Sequence, residues 1–108
     1  MNRGDLVTLA MQGDFGKPRP ALVVQSDRFS EHATVTVLLV SSMLIDAPLL
    51  RVTVQPDERN GLQKTSQVMI DKVMTVKREK LGEAFGSAGD ATLVEVGRCL
   101  AVFLGIAG

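Results

Sequence analysis

The sequence is short of residues that many functions depend on. Among 108 residues there is one cysteine, one histidine, no tryptophan and no tyrosine. A lone cysteine, Cys99, cannot build an internal disulfide framework. A lone histidine, His32, with no Cys/Asp/Glu cluster at ligand spacing, makes no metal cage, so neither a metal nor a cofactor is expected. One histidine also cannot assemble a convincing Ser/His/Asp triad. The glycines between 13 and 16 lack the Lys-Ser/Thr pair of a phosphate-binding loop. No apolar run approaches the roughly 18 residues of a membrane helix, and no charged-then-apolar leader opens the chain. Net charge is missing too: 12 basic residues balance 12 acidic ones. A surface that coats nucleic acid broadly would be basic, so only a local cationic site is compatible. These absences fit a soluble cytoplasmic protein that does not engage membranes.

What is present is aliphatic. Hydrophobic residues make up 45% of the chain, yet only four are aromatic, all Phe. One domain spanning 1–108 with an aliphatic core is expected. Asp5–Ala10 reads as a first strand and Ala21–Gln25 as a second. Thr34–Val40 is the clearest, with β-branched residues at 34, 35, 36, 37 and 40. Leu49–Val54 reads as a further strand, and Asn60-Gly61 as a strong turn pair. Ser66–Thr75 reads as two short segments around Asp71. Lys77–Leu81 suggests one helical turn and Gly82–Gly86 a short last strand. Asp90–Leu104 is a long helix, with Asp90 as a cap or Thr92 and Glu95 as a capping box. Leu93, Val96, Leu100, Phe103 and Leu104 recur at helical spacing, and Val94, Ala101 and Val102 widen that face. So wide a face implies burial against both its own sheet and a partner subunit. Many short strands followed by one helix imply a mainly β fold, either a small SH3-like barrel or a strongly curled sheet. Cys99, inside the helical pattern, reads as a small core residue, and His32 as an exposed loop residue.

The chain is organised around Gly13–Asp27. A glycine-containing polar loop leads into Pro18-Arg19-Pro20 and then an aliphatic strand. The prolines stiffen the exit and remove backbone donors. A cation held there, at the mouth of a core strand, suits an anion or a phosphate. An ordinary solvated arginine beside a turn is the other reading.

Arg3-Gly4-Asp5-Leu6, the polar loop, Arg19-Pro20 with its aliphatic strand, VTVLLVSS at 35–42, Asn60-Gly61-Leu62, SQVMIDKV at 66–73, KREKLGEAFG and the terminal VFLG follow one another in an order that resembles the MazF/PemK family. These are small bacterial toxins of toxin–antitoxin modules, most of them endoribonucleases. The resemblance covers essentially the whole chain. It implies a curled, barrel-like fold, a homodimer and an antitoxin partner with a disordered acidic tail. It also implies metal-independent, sequence-specific cleavage of single-stranded RNA to a 2′,3′-cyclic phosphate. Arg19 matches the family's phosphorane-stabilising arginine. Ser41 aligns with a phosphate-binding hydroxyl residue, usually Thr, and Ser42 stands one residue away. Asp14 sits where many members carry a loop Glu. Asp71 resembles an acid that serves some members as general base. The arginine two residues before that acid in those members is Met69 here, which shifts weight onto Arg19. Lys17, Phe15, Ser42 and Lys64 are candidates for contact with RNA. Such a set supplies what metal-free cleavage needs: a base for the 2′-hydroxyl, an acid for the leaving oxygen and a cation for the phosphorane. A gyrase poison of the CcdB type shares the fold, but its C-terminal Trp-Gly-Ile is missing. A non-catalytic SH3-like interaction module is the third reading. Base preference in the family lies in loops, here 12–17, 43–48 and 57–64, which vary freely on a common scaffold.

Overall fold

Runs of Val, Leu and Thr build six strands, and the one long 3.6-residue apolar pattern builds a helix. A computed structural model describes residues 1–10 and 17–107. The strands are β1 (Asp5–Ala10), β2 (Pro18–Val23), β3 (Thr34–Ser41), β4 (Arg51–Val54), β5 (Ser66–Lys77) and β6 (Leu81–Ser87), followed by α1 (Asp90–Phe103). They form one antiparallel sheet in the order β4-β5-β3-β2-β1-β6. The sheet curls without closing, so the fold is the curled alternative and not a closed barrel.

Both faces of the sheet are buried, and strand alternation sorts the core into two clusters. Leu6, Leu22 and Leu38 stand opposite one another on β1, β2 and β3, and pack with Val68, Ile70, Val96 and Cys99 beneath the helix. Val7, Leu9, Ala21, Val23, Val35 and Val37 occupy the other face. A one-residue slip would exchange the two sets, so their complementarity fixes the register.

Four details differ from the sequence reading. β2 begins at Pro18 rather than Ala21. Pairing with β3 starts only at Ala21, so the donors absent from the prolines are not missed there. The two expected segments around Asp71 are one continuous β5 with a bulge: Leu38 pairs with Val73 and Val40 with Val68, so residues 69–72 face Leu39 alone. The helix is not capped by Asp90 or by a Thr92/Glu95 box. Gly89 is the N-cap and no side chain caps it; Asp90 lies in the first turn, where its charge complements the helix dipole. The apolar face of α1 also divides. Val96 and Cys99 are buried and Leu93 and Leu100 pack against them, whereas Val94, Val102 and Phe103 remain exposed.

Polar side chains fasten the connections. Arg3 donates to Val24 O (2.5 Å), and Arg78 donates to Ser30 O (2.6 Å) and His32 O (2.5 Å), so two guanidiniums hold the β2–β3 connection. His32 is exposed, as expected. Asn60, only 2% exposed, donates to Gln55 O and accepts from the Asp57 and Leu62 amides. Its carbonyl oxygen lies where a Cβ on Gly86 would come to 2.2 Å, so β6 can pass this turn only as glycine.

Candidate functional site

The site is assembled by register. Ala21 pairs with Leu39. Two residues further along each strand stand Arg19 and Ser41, which therefore share a face at the same end of the sheet. Ser41 pairs in turn with Gln67 on β5, and Gln67 with Thr53 on β4. One row thus runs Arg19, Ser41, Gln67, Thr53 across four strands. Asp71 lies in the bulge opposite Leu39, one row inward. The sheet thereby brings a cation, a hydroxyl and an acid to neighbouring rows.

Each has a distinct environment. Arg19 is exposed at the strand mouth and is engaged in an interaction of its own. Lys17 is exposed two residues before it. Ser41 is half-buried, and its Oγ accepts from the Met43 amide at 3.0 Å, which leaves its hydroxyl proton available. Ser42 is exposed beyond the strand end. Asp71 is half-buried, and its Oδ1 is shut off from solvent with no hydrogen-bond partner among the described residues. A buried carboxylate oxygen left unsatisfied is uncommon and costly, on the order of 1–3 kcal/mol. Lys64 is exposed in the loop before β5, and its carbonyl accepts from Ser66 Oγ at 2.9 Å. Asp14 and Phe15 lie outside the described residues.

Cys99 can be set aside as a nucleophile. Burial first, then the charge and hydrogen bond of Glu95, push its thiol above its ordinary pKa, so it stays protonated. Among the described residues no group of three or more His, Cys, Asp or Glu is placed to hold a metal ion.

Two residues of this region were not singled out by the sequence. Gln67 is 6% exposed. Its amide accepts from Ile45 N (3.1 Å) and donates to Ile45 O (3.0 Å) and Thr53 Oγ1 (3.2 Å), docking the 42–50 connection onto the sheet. A polar residue at the buried start of an apolar strand was the available signal. Arg51, the cross-strand partner of Met69, has a buried Nε with no hydrogen-bond partner among the described residues. Nothing local in the sequence distinguishes it, because strand pairing alone places it there.

The chain as a whole is similar to known proteins. Residues 2–104 match the family described as PemK-like, MazF-like toxin of type II toxin–antitoxin system. A probable endoribonuclease MazF of Mycolicibacterium smegmatis (strain ATCC 700084 / mc(2)155) is 47% identical, with 100% of each chain covered. Among solved structures, a mycobacterial endoribonuclease in complex with its cognate antitoxin superposes with a TM-score of 0.85 at 24% identity, covering 100% of this chain and 98% of that one. A MazE–MazF crystal structure from Deinococcus radiodurans gives a TM-score of 0.78 at 26% identity, covering 97% of this chain and 96% of that one.

Proposed function

We propose that this chain, which belongs to the PemK-like, MazF-like toxins of type II toxin–antitoxin systems, is a metal-independent endoribonuclease that cuts single-stranded RNA in a sequence-specific way. Arrest of translation and growth in the cytoplasm follows from loss of mRNA. The observation that carries the reading is the placement of Arg19 and Ser41 on one face at one sheet end, with Asp71 a row inward. The 2′-oxygen bonds to phosphorus, the P–O5′ bond breaks, and the products are a 2′,3′-cyclic phosphate and a 5′-hydroxyl. Arg19 stabilises the phosphorane, where the gain over the ground state is largest. Ser41 donates to a phosphate oxygen. A carboxylate, Asp71 or Asp14, receives the 2′-hydroxyl proton, and the departing O5′ takes up a proton from water, so that proton gain and loss balance. Arg19 is kept to electrostatic duty, because a guanidinium holds its proton too tightly to release it readily. The 47% identity to a probable MazF endoribonuclease supports the reaction class.

The test is incubation of purified protein with a long defined RNA, with and without excess EDTA, followed by end-group analysis. Cleavage that survives the chelator and leaves cyclic phosphate is expected. A 5′-phosphate product, or activity restored only by a divalent ion, would establish a different mechanism.

The same reading includes a homodimer and an antitoxin. The exposed Val102 and Phe103 of α1, with Leu49 and Leu50 beside them, form the apolar patch offered to a second copy. The antitoxin's acidic tail would lie over Arg19 and Lys17, since a groove that holds an RNA backbone also attracts carboxylates. The MazE–MazF complex at 26% identity supports that partner class.

A further inference from the structure

Beside Ser41 the molecule opens into a cleft that the proposed mechanism leaves unused. Its volume is about 330 Å³, and it includes Gln67, the cross-strand partner of Ser41. Gln67 is committed to Ile45 and Thr53, so it forms wall and not reader. Arg51 lines the cleft with its Nε unsatisfied among the described residues. Asp46 and Glu95 line it too, both exposed, and bring two carboxylates, that of Glu95 also accepting from Cys99 Sγ through Oε1. A guanidinium and carboxylates in one polar cleft select by charge pattern. A bare phosphate would meet the arginine but be repelled by the acids, and a metal ion the reverse. The set fits a neutral, flat ligand with two acceptors on one edge and two donors on another.

Guanine has that pattern. Its O6 and N7 accept a bidentate arginine, the commonest specific arginine contact, and its N1–H and N2–H₂ suit a carboxylate. Adenine pairs an acceptor with a donor on the edge that guanine offers to arginine, and the pyrimidines lack one of the two paired edges. Adjacent strands are about 4.8 Å apart, so a base next to a phosphate held at Ser41 reaches the cleft. We infer that the cleft formed by Arg51, Asp46 and Glu95 beside Gln67 is a guanine subsite, which reads a nucleotide neighbouring the scissile bond. The inference rests on the ribonuclease reading above.

The experiment maps cuts in a long defined RNA by sequencing, for wild type, Arg51→Lys and Arg51→Met. Wild-type cuts are expected at a fixed offset from a guanine. Both variants should lose that bias roughly tenfold or more, Lys included, because it keeps the charge without the fork. Short RNAs with inosine or 7-deazaguanine at that offset keep the protein unaltered. Wild type should cut both more slowly, since each removes one contact. These substrates decide the matter if an Arg51 variant fails to fold. Cuts without a guanine at fixed offset, an unchanged bias in Arg51→Met, or full-speed cutting of both analogues would overturn the subsite alone. Absence of any RNA cleavage by wild type would overturn the ribonuclease reading, and the subsite with it.

Discussion

Arg19 stands between two prolines and directly precedes the buried part of β2. Pro18 and Pro20 fix their own φ on either side of Arg19 and restrict the strand's course whatever the side chain between them. Arg19→Ala should therefore reduce RNA cleavage about 100- to 1000-fold, the usual cost of one transition-state stabiliser, while thermal denaturation stays nearly unchanged. Wild-type rates from the purified variant would remove Arg19 from the mechanism. Ser41→Ala should cost less, and a defect confined to Ser42→Ala would move the hydroxyl role one residue on. Asp71→Asn keeps the shape of the side chain but cannot take a proton. It should lower the maximal rate more than it weakens RNA binding, measured by single-turnover kinetics beside a binding titration. The strand-end positions of Arg19 and Ser41 were legible in the sequence because local chemistry announces each, proline in one case and a β-branched run in the other. The unsatisfied Oδ1 of Asp71 and the position of Arg51 were not legible. Both depend on how β5 pairs and bulges, and pairing is not a local property.

The elements show the same division. β1 matches its expected bounds, Asp5–Ala10, because its apolar positions and flanking turn residues agree. β5 was read as two pieces because Asp71 and Lys72 interrupt an apolar run. The chain instead carries them in a bulge and continues pairing with β3. The helix start was misread because good capping residues stand close together at 90–95, while the cap itself is a glycine that contributes no side chain. The corner where β6 passes the Asn60 turn has no slack. Gly86→Ala would drive a methyl group against the Asn60 carbonyl, which is fixed backbone. We expect a loss of about 1–3 kcal/mol, as for overpacking of a tight site, read as a lower urea midpoint with an unchanged slope. Stability equal to wild type would mean that the turn yields without cost.

For the whole molecule, the central question is what covers α1. Leu100 packs partly into the protein's own core, so an acidic residue there would test folding as much as association. Phe103 and Val102, each 47% exposed, are cleaner probes. Phe103→Glu should convert a dimer to a folded monomer in light scattering at micromolar concentration. A monomeric wild type under those conditions would count directly against the dimer. The antitoxin makes a second prediction at this scale. Its tail peptide should compete with a non-cleavable RNA analogue for the toxin. Charge reversal at Lys17 should weaken both ligands, more so at low salt. A stable ternary complex would require inhibition from a distant site.

The unpaired edges of the curled sheet have a consequence for the free protein in a crowded cell. A closed barrel has no strand edge, whereas this sheet ends at β4 and β6. Open edges recruit other chains into aggregates unless they are poor templates. β4 is only four residues long, and β6 carries Gly82, Glu83 and Gly86, which weaken and charge its rim. Solubility is thus guarded by unattractive edges and not by closure. Replacing Glu83 on β6 with a β-branched apolar residue should turn the protein toward edge-to-edge self-association.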